Sequence, residues 1–217
     1  MKRICFIGDS ITEGHSDNAR LGWVGRLAQS LPSDFGIYNL GVSAQTLAQF
    51  HARAKIECGS RLDDYEHKGI VLGAGLNDLC KFDGDVARTS IEVIQSTLHE
   101  LLDDLMEVAP LITVGPFPIA EEFNPFFSAS LQANTYFSNT FIKEVDQLYA
   151  ESCKARNIPY LSMVDALLNS DYMESLREND GIHPKGEGYQ IAAGLIQHWG
   201  AWQALSSTPT INSFTRK

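Results

Sequence analysis

The stretch Arg3-Ile4-Cys5-Phe6-Ile7-Gly8-Asp9-Ser10 places four apolar residues in a row and then stops at a glycine and an acid. An apolar run that short, closed by turn residues, reads as a strand buried in a sheet rather than as a helix. The same shape returns at Ile37–Val42 (IYNLGV), Gly69–Ala74 (GIVLGA), Leu111–Gly115 (LITVG) and Ile158–Met163 (IPYLSM), giving five strands. Helical spacing fills the intervals. Ile91, Ile94, Leu98, Leu101, Leu102 and Leu105 recur at three and four, the signature of one apolar helix face. Further helices are expected over Trp23–Leu31, over Ala44–Glu57 and over Ser130–Arg156, where Phe137, Phe141, Val145 and Leu148 keep the same spacing. A last helix follows Pro184, whose missing N–H suits a first turn, with Ile191, Leu195 and Trp199 on one face.

Strands alternating with helices imply right-handed crossovers and a parallel sheet covered on both sides, an α/β three-layer sandwich. With strand order 2-1-3-4-5 the chain reverses direction beside strand one, and ligands in such sheets sit outside the carboxyl ends of the strands there. Three strand ends therefore matter: Gly8-Asp9-Ser10, Gly41, and Gly75-Leu76-Asn77-Asp78. One domain over residues 1–205 is expected, followed by a Ser/Thr-rich tail over 206–217 that lacks periodicity.

Composition narrows the function classes. The chain has 217 residues, 44% hydrophobic and 20% charged, which suits a folded globular domain and excludes disordered, collagen-like and coiled-coil classes. A net charge of −10 repels phosphate backbones and anionic lipid surfaces, so nucleic acid is a poor partner. Cys5, Cys58, Cys80 and Cys153 are scattered without a C-x-x-C, so reduced thiols in a cytoplasmic protein are expected, with no zinc site. No apolar run approaches the roughly 18 residues of a membrane helix, and no signal peptide is expected before Gly8.

Ser10 follows a strand and a glycine, so its hydroxyl can stand at the top of the sheet. A serine hydroxyl becomes a nucleophile only beside a base, normally a histidine whose second nitrogen is held by a carboxylate. Of the six histidines, His183 has an acid three residues before it, in Asp180-Gly181-Ile182-His183. Residues three apart in a turn face each other, so Asp180 can orient His183. The segment must also reach Ser10 from strand five, about 14 Å away at normal strand spacing, and the residues from Val164 to Asn179, read as loop, are ample for that. His15 is the competing base, but no acid flanks it at a comparable spacing, and it reads as a surface-loop histidine. Donors for an oxyanion are the Ser10 N–H, the Gly41 N–H and the Asn77 side-chain amide, all on one sheet edge. Asp9 and Asp78 read as hydrogen-bonding supports for their turns. Trp23 reads as core, and the segment Pro116–Phe127 (PFPIAEEFNPFF) either covers an acyl pocket with Phe117, Phe123, Phe126 and Phe127 or caps the core with them.

Four blocks now stand in order: Gly8-Asp9-Ser10-Ile11-Thr12, Asn39-Leu40-Gly41-Val42-Ser43, Gly75-Leu76-Asn77-Asp78 and Asp180-Gly181-Ile182-His183-Pro184. Together they resemble the SGNH or GDSL hydrolases, with Ile11 in place of the leucine of the GDSL signature. The resemblance implies a flavodoxin-like sandwich and hydrolysis of esters or thioesters without metal or organic cofactor. It also implies Ser10 as nucleophile, His183 as base, Asp180 as its partner, and Ser10, Gly41 and Asn77 as oxyanion hole. Three alternatives remain: an O-acyltransferase on the same triad, a metal-dependent phosphoesterase using Asp9, Asn77, Asp78, Asp180 and His183, and a non-catalytic binding module.

Overall fold

The computed structural model describes residues 2–207 apart from 74, 84 and 130. Five strands form one parallel sheet: β1 (Lys2–Gly8), β2 (Phe35–Gly41), β3 (Lys68–Gly73), β4 (Leu111–Val114) and β5 (Tyr160–Leu161). Their order across the sheet is β2-β1-β3-β4-β5, as the switch-point reading requires. Alternation along β1 feeds two cores. Cys5 and Ile7 point into the layer holding Leu47, Phe50, Leu98 and Val145, while Ile4 and Phe6 point into the layer holding Trp23, Leu27, Tyr189 and Trp202. Burial on both faces explains why β1, β3 and β4 read as unbroken apolar runs, while the edge strands β2 and β5 are only partly buried.

Nine helices are described: α1 (Ser10–Glu13), α2 (Gly22–Gln29), α3 (Leu47–Leu62), α4 (Ile91–Met106), α5 (Asn139–Ala155), α6 (Val164–Leu168), α7 (Tyr172–Arg177), α8 (Gly186–His198) and α9 (Gly200–Ser206). The α4 spacing holds: Ile94, Leu98, Leu101, Leu102 and Leu105 are all buried, and Ser90 caps the first turn through the Val93 N–H.

Several boundaries differ from the sequence reading. The helix expected from Ser130 begins only at Asn139, because Ala133–Thr135 pairs antiparallel with Phe126–Ser128 in a small hairpin. Phe137 extends the helical spacing by accident of its packing on Phe126, with ring centroids 5.8 Å apart. The helix expected from Ala44 starts at Leu47, since Ala44 is left-handed (φ 62°) and the Thr46 N–H donates to Gln49 Oε1. The fifth strand is two residues long rather than six, pairing only Tyr160 and Leu161 with β4 at the sheet edge. Residues 164–179, read as loop, contain α6 and α7. Pro184 lies before α8, not in its first turn, because Lys185 is the extended capping residue. Of the expected tail, Ser206 closes α9, and residues 208–217 lie outside the described residues. Among the described residues no helix is long and apolar enough to cross a membrane.

Candidate active site

Register builds the site. Gly8 lies opposite both Gly41 and Gly73, so β1, β2 and β3 end level and release their loops at one edge. Asp9 caps α1 through the Ile11 N–H at 3.0 Å, which turns the chain sharply and puts Ser10 at the start of that helix. Thr12 Oγ1 donates to Gly73 O at 2.8 Å and Asn39 Nδ2 donates to Thr12 O at 2.8 Å, tying α1 to both neighbouring strands.

The fourth block arrives from the far end of the chain. Ser175 Oγ accepts the Lys185 N–H at 2.8 Å, and Asn179 Nδ2 donates to His183 O at 2.8 Å, so α7 fixes the turn that carries His183. Gly181 sits at φ 84°, and a Cβ there would strike the Phe123 ring, so this turn requires glycine. His183 Nε2 lies 2.8 Å from Ser10 Oγ, and His183 Nδ1 lies 2.7 Å from Asp180 Oδ2. The other Asp180 oxygen accepts the Ile182 N–H at 2.9 Å and the His183 N–H at 2.7 Å. Burial pushes the Asp180 carboxyl up, but its bonds from His183 and Ile182 outweigh that and hold it at about 2. Ser10 itself is only 7% exposed, so a substrate meets it through the cleft alone.

That cleft measures about 620 Å³ and is lined by Ser10, Asp180 and His183 together with Ala44, Asn77 and Arg88. Its apolar wall comes from Leu76 and from the hairpin carrying Phe126 and Phe127. The four phenylalanines of the 116–127 segment divide between the two expected roles. Phe117 is buried against Tyr172 in the core, whereas Phe123, Phe126 and Phe127 face the cleft. Trp23 is fully buried in the core, as expected. A larger groove of about 890 Å³ runs past the opposite strand ends at Lys2, Lys68 and Leu111, but the paired serine and histidine lie in the smaller cleft, so size does not decide between them.

The structure separates Gly41 from the other expected donors. Its N–H donates to Asn39 Oδ1 at 3.0 Å, and it does not line the cleft. A Cβ at Gly41 would overlap the Glu13 backbone, so this glycine serves the close approach of β2 to α1. Ala44, three residues on, does line the cleft, and its N–H has no protein acceptor among the described residues. The sequence signal was there only indirectly, as a small residue two positions before Thr46. His15 is exposed, as expected, but it is not remote: its ring centroid lies 4.5 Å from that of His183, and it lines the cleft.

Asp9 and Asp78 act as the expected supports. Asp78 accepts the Leu47 N–H at 2.8 Å and the Thr89 hydroxyl at 3.1 Å, binding the third block to the start of α3. Burial raises its carboxyl despite these bonds. Burial likewise lifts Asp9 to about 6, against the Ile11 N–H and the nearby His183. Among the described residues no group of three or more His, Cys, Asp or Glu side chains is arranged to hold a metal ion.

With this geometry in hand, comparison with known proteins is direct. The sequence pattern of the GDSL-like lipase/acylhydrolase family matches residues 6–191. The chain belongs to that family. Among solved structures, the GDSL chain is similar to a lipase/acylhydrolase from Enterococcus faecalis, with TM-score 0.69 and 20% identity over 90% of this chain and 93% of that one. It is also similar to Axe2, an acetylxylan esterase from Geobacillus stearothermophilus, with TM-score 0.65 and 17% identity over 89% and 91% of the two chains. An uncharacterized Bacillus subtilis protein, YpmR, is 24% identical over 213 residues, covering 89% of this chain and 79% of its own length. The two solved structures share this chain's fold.

Proposed function

We propose that this GDSL hydrolase is a serine esterase that forms an acyl-enzyme on Ser10. The observation that carries the reading is the unbroken relay from Ser10 Oγ through His183 to Asp180, at 2.8 and 2.7 Å. His183 Nε2 accepts the hydroxyl proton as Ser10 Oγ bonds to the carbonyl carbon of a carboxylic ester or thioester. The tetrahedral oxyanion then meets the Ser10 N–H, the Asn77 amide and the Ala44 N–H, with Ala44 taking the place expected of Gly41. Collapse breaks the bond to the leaving alcohol or thiol, which takes the proton from His183. Water repeats the cycle and frees the acid.

The commitments of the carboxylates favour this over a metal-dependent phosphoesterase. Asp9 holds the Ile11 N–H, Asp78 holds Leu47 and Thr89, and Asp180 holds His183. Cys5, Cys58, Cys80 and Cys153 are free and buried, which fits a reducing cytoplasmic setting. The test is hydrolysis of a graded series of p-nitrophenyl esters by the purified protein and by Ser10→Ala, each with and without a chelator. The expected result is turnover that survives the chelator and disappears in Ser10→Ala. Undiminished hydrolysis by Ser10→Ala refutes the reading, and loss on chelation transfers the chemistry to a metal.

A further inference from the structure

Arg88 is the one cation of the cleft wall that the four sequence blocks leave without a role. The small hairpin of Lys81–Phe82 with Val86–Ala87 brings the chain back so that the Arg88 N–H donates to Cys80 O at 3.0 Å. From there the guanidinium spans two separate loops. One terminal nitrogen donates to Asn77 O at 3.2 Å and the other to Ala44 O at 3.3 Å. Arg3 and Arg61 each donate to one backbone carbonyl, whereas Arg26, Arg53, Arg156 and Arg177 pair with acids. Arg88 has no such partner among the described residues and spends its terminal donors on two backbone carbonyls instead.

We propose that Arg88 is a positioning residue that locks the two loops bearing the non-nucleophile oxyanion donors into one spacing. The inference rests on the serine esterase reading above. Ala44 and Asn77 leave the sheet after different strands; Asp78 ties the third block to Leu47, three residues beyond Ala44, and Arg88 ties the Asn77 and Ala44 carbonyls themselves. Ala44 also holds a left-handed φ of 62°, a conformation that an alanine keeps only when its surroundings over-determine it. A planar guanidinium bridging both carbonyls supplies that constraint, because its terminal nitrogens are held at a fixed separation. A lysine keeps the charge but offers a single point of donation and cannot span the loops in the same way. The effect belongs to the transition state, since the oxyanion is where donor spacing matters.

The experiment compares Arg88→Lys and Arg88→Met with the wild-type protein. It measures kcat and KM on a p-nitrophenyl ester and the rate of phosphonylation of Ser10 by a fluorophosphonate, with thermal unfolding as a control for folding. Expected is a fall in kcat of about 10- to 100-fold, smaller than the 10²- to 10³-fold of deleting a donor outright, with KM within about threefold. Phosphonylation slows in parallel, and the lysine and methionine variants lose alike. Near wild-type kcat in either folded variant overturns the proposal. So does a loss confined to KM, which makes Arg88 a substrate-binding group, or full rescue by lysine, which assigns the charge rather than the bridge. If methionine prevents folding, the lysine variant decides alone. Each of these outcomes with Ser10→Ala still inactive leaves the esterase reading standing, whereas a wild-type protein that neither hydrolyses esters nor takes up the fluorophosphonate removes both.

Discussion

Replacing Asp180 with asparagine perturbs the relay through the direction of one hydrogen bond. In the native protein one carboxylate oxygen accepts both the Ile182 and His183 backbone N–H groups, and the other accepts from the His183 ring. An asparagine has one oxygen. Facing that oxygen to the two backbone donors leaves the amide NH₂ toward Nδ1, which then must be unprotonated, and the ring proton moves to Nε2. His183 can no longer accept from Ser10. The flipped amide restores the correct ring form but sets an NH₂ against two N–H donors, forfeiting two hydrogen bonds at about 1 kcal/mol each. About 2 kcal/mol leaves roughly one molecule in thirty competent, so orientation alone lowers kcat at least about thirtyfold at neutral pH. Loss of the negative charge beside the imidazolium adds to this, and the general Ser-His-Asp case gives about 10⁴-fold. The assay is steady-state hydrolysis of a p-nitrophenyl ester by Asp180→Asn, with nitrogen-15 NMR of the His183 ring to read which nitrogen carries the proton. More than a tenth of the wild-type kcat in the variant, or an Nδ1-protonated ring, refutes the reasoning.

Two further outcomes concern stability. Asp9 titrates at about 6 in the folded protein against 3.8 for an ordinary aspartate, so the native state holds its proton more tightly than the unfolded chain does. Stability from this group is therefore full below about pH 4 and declines as pH rises through about 6, by about 3 kcal/mol in all. Asp9→Asn removes that decline, and urea unfolding at pH 4 and pH 7.5 should find a smaller pH dependence in the variant than in the wild type; an unchanged dependence contradicts the assignment. Gly41→Ala forces a Cβ into the Glu13 backbone and should cost about 1–3 kcal/mol, read as a lowered melting temperature, while an unchanged melting temperature denies the close approach.

The centre of the sheet was legible because β1, β3 and β4 are buried on both faces. Continuous apolar runs such as Ile4-Cys5-Phe6-Ile7 have few other readings, and the observed order β2-β1-β3-β4-β5 is the one the sequence reading took as its starting condition. The contact between Ser10 and His183 was legible for a local reason: Asp180 and His183 belong to one turn, so only one long-range meeting had to be inferred. What escaped depended on tertiary partners. The start of α5 was hidden because Phe137 keeps helical spacing while packing on Phe126 from outside the helix. A glycine at a strand end signals close approach or an open N–H equally well, and here the Gly41 N–H donates to Asn39. The left-handed Ala44 carries no mark in the sequence, since alanine is not a residue that announces that conformation. His15 has no acid at a three-residue spacing, yet it reaches His183 through folding.

Rapid-quench mass spectrometry of the protein mixed with a slowly hydrolysed p-nitrophenyl ester tests the nucleophile itself. The account predicts a transient species heavier by the acyl group, mapping to the peptide that contains Ser10 and absent from His183→Ala. Turnover without any covalent species, or an acyl group carried on another side chain, contradicts it.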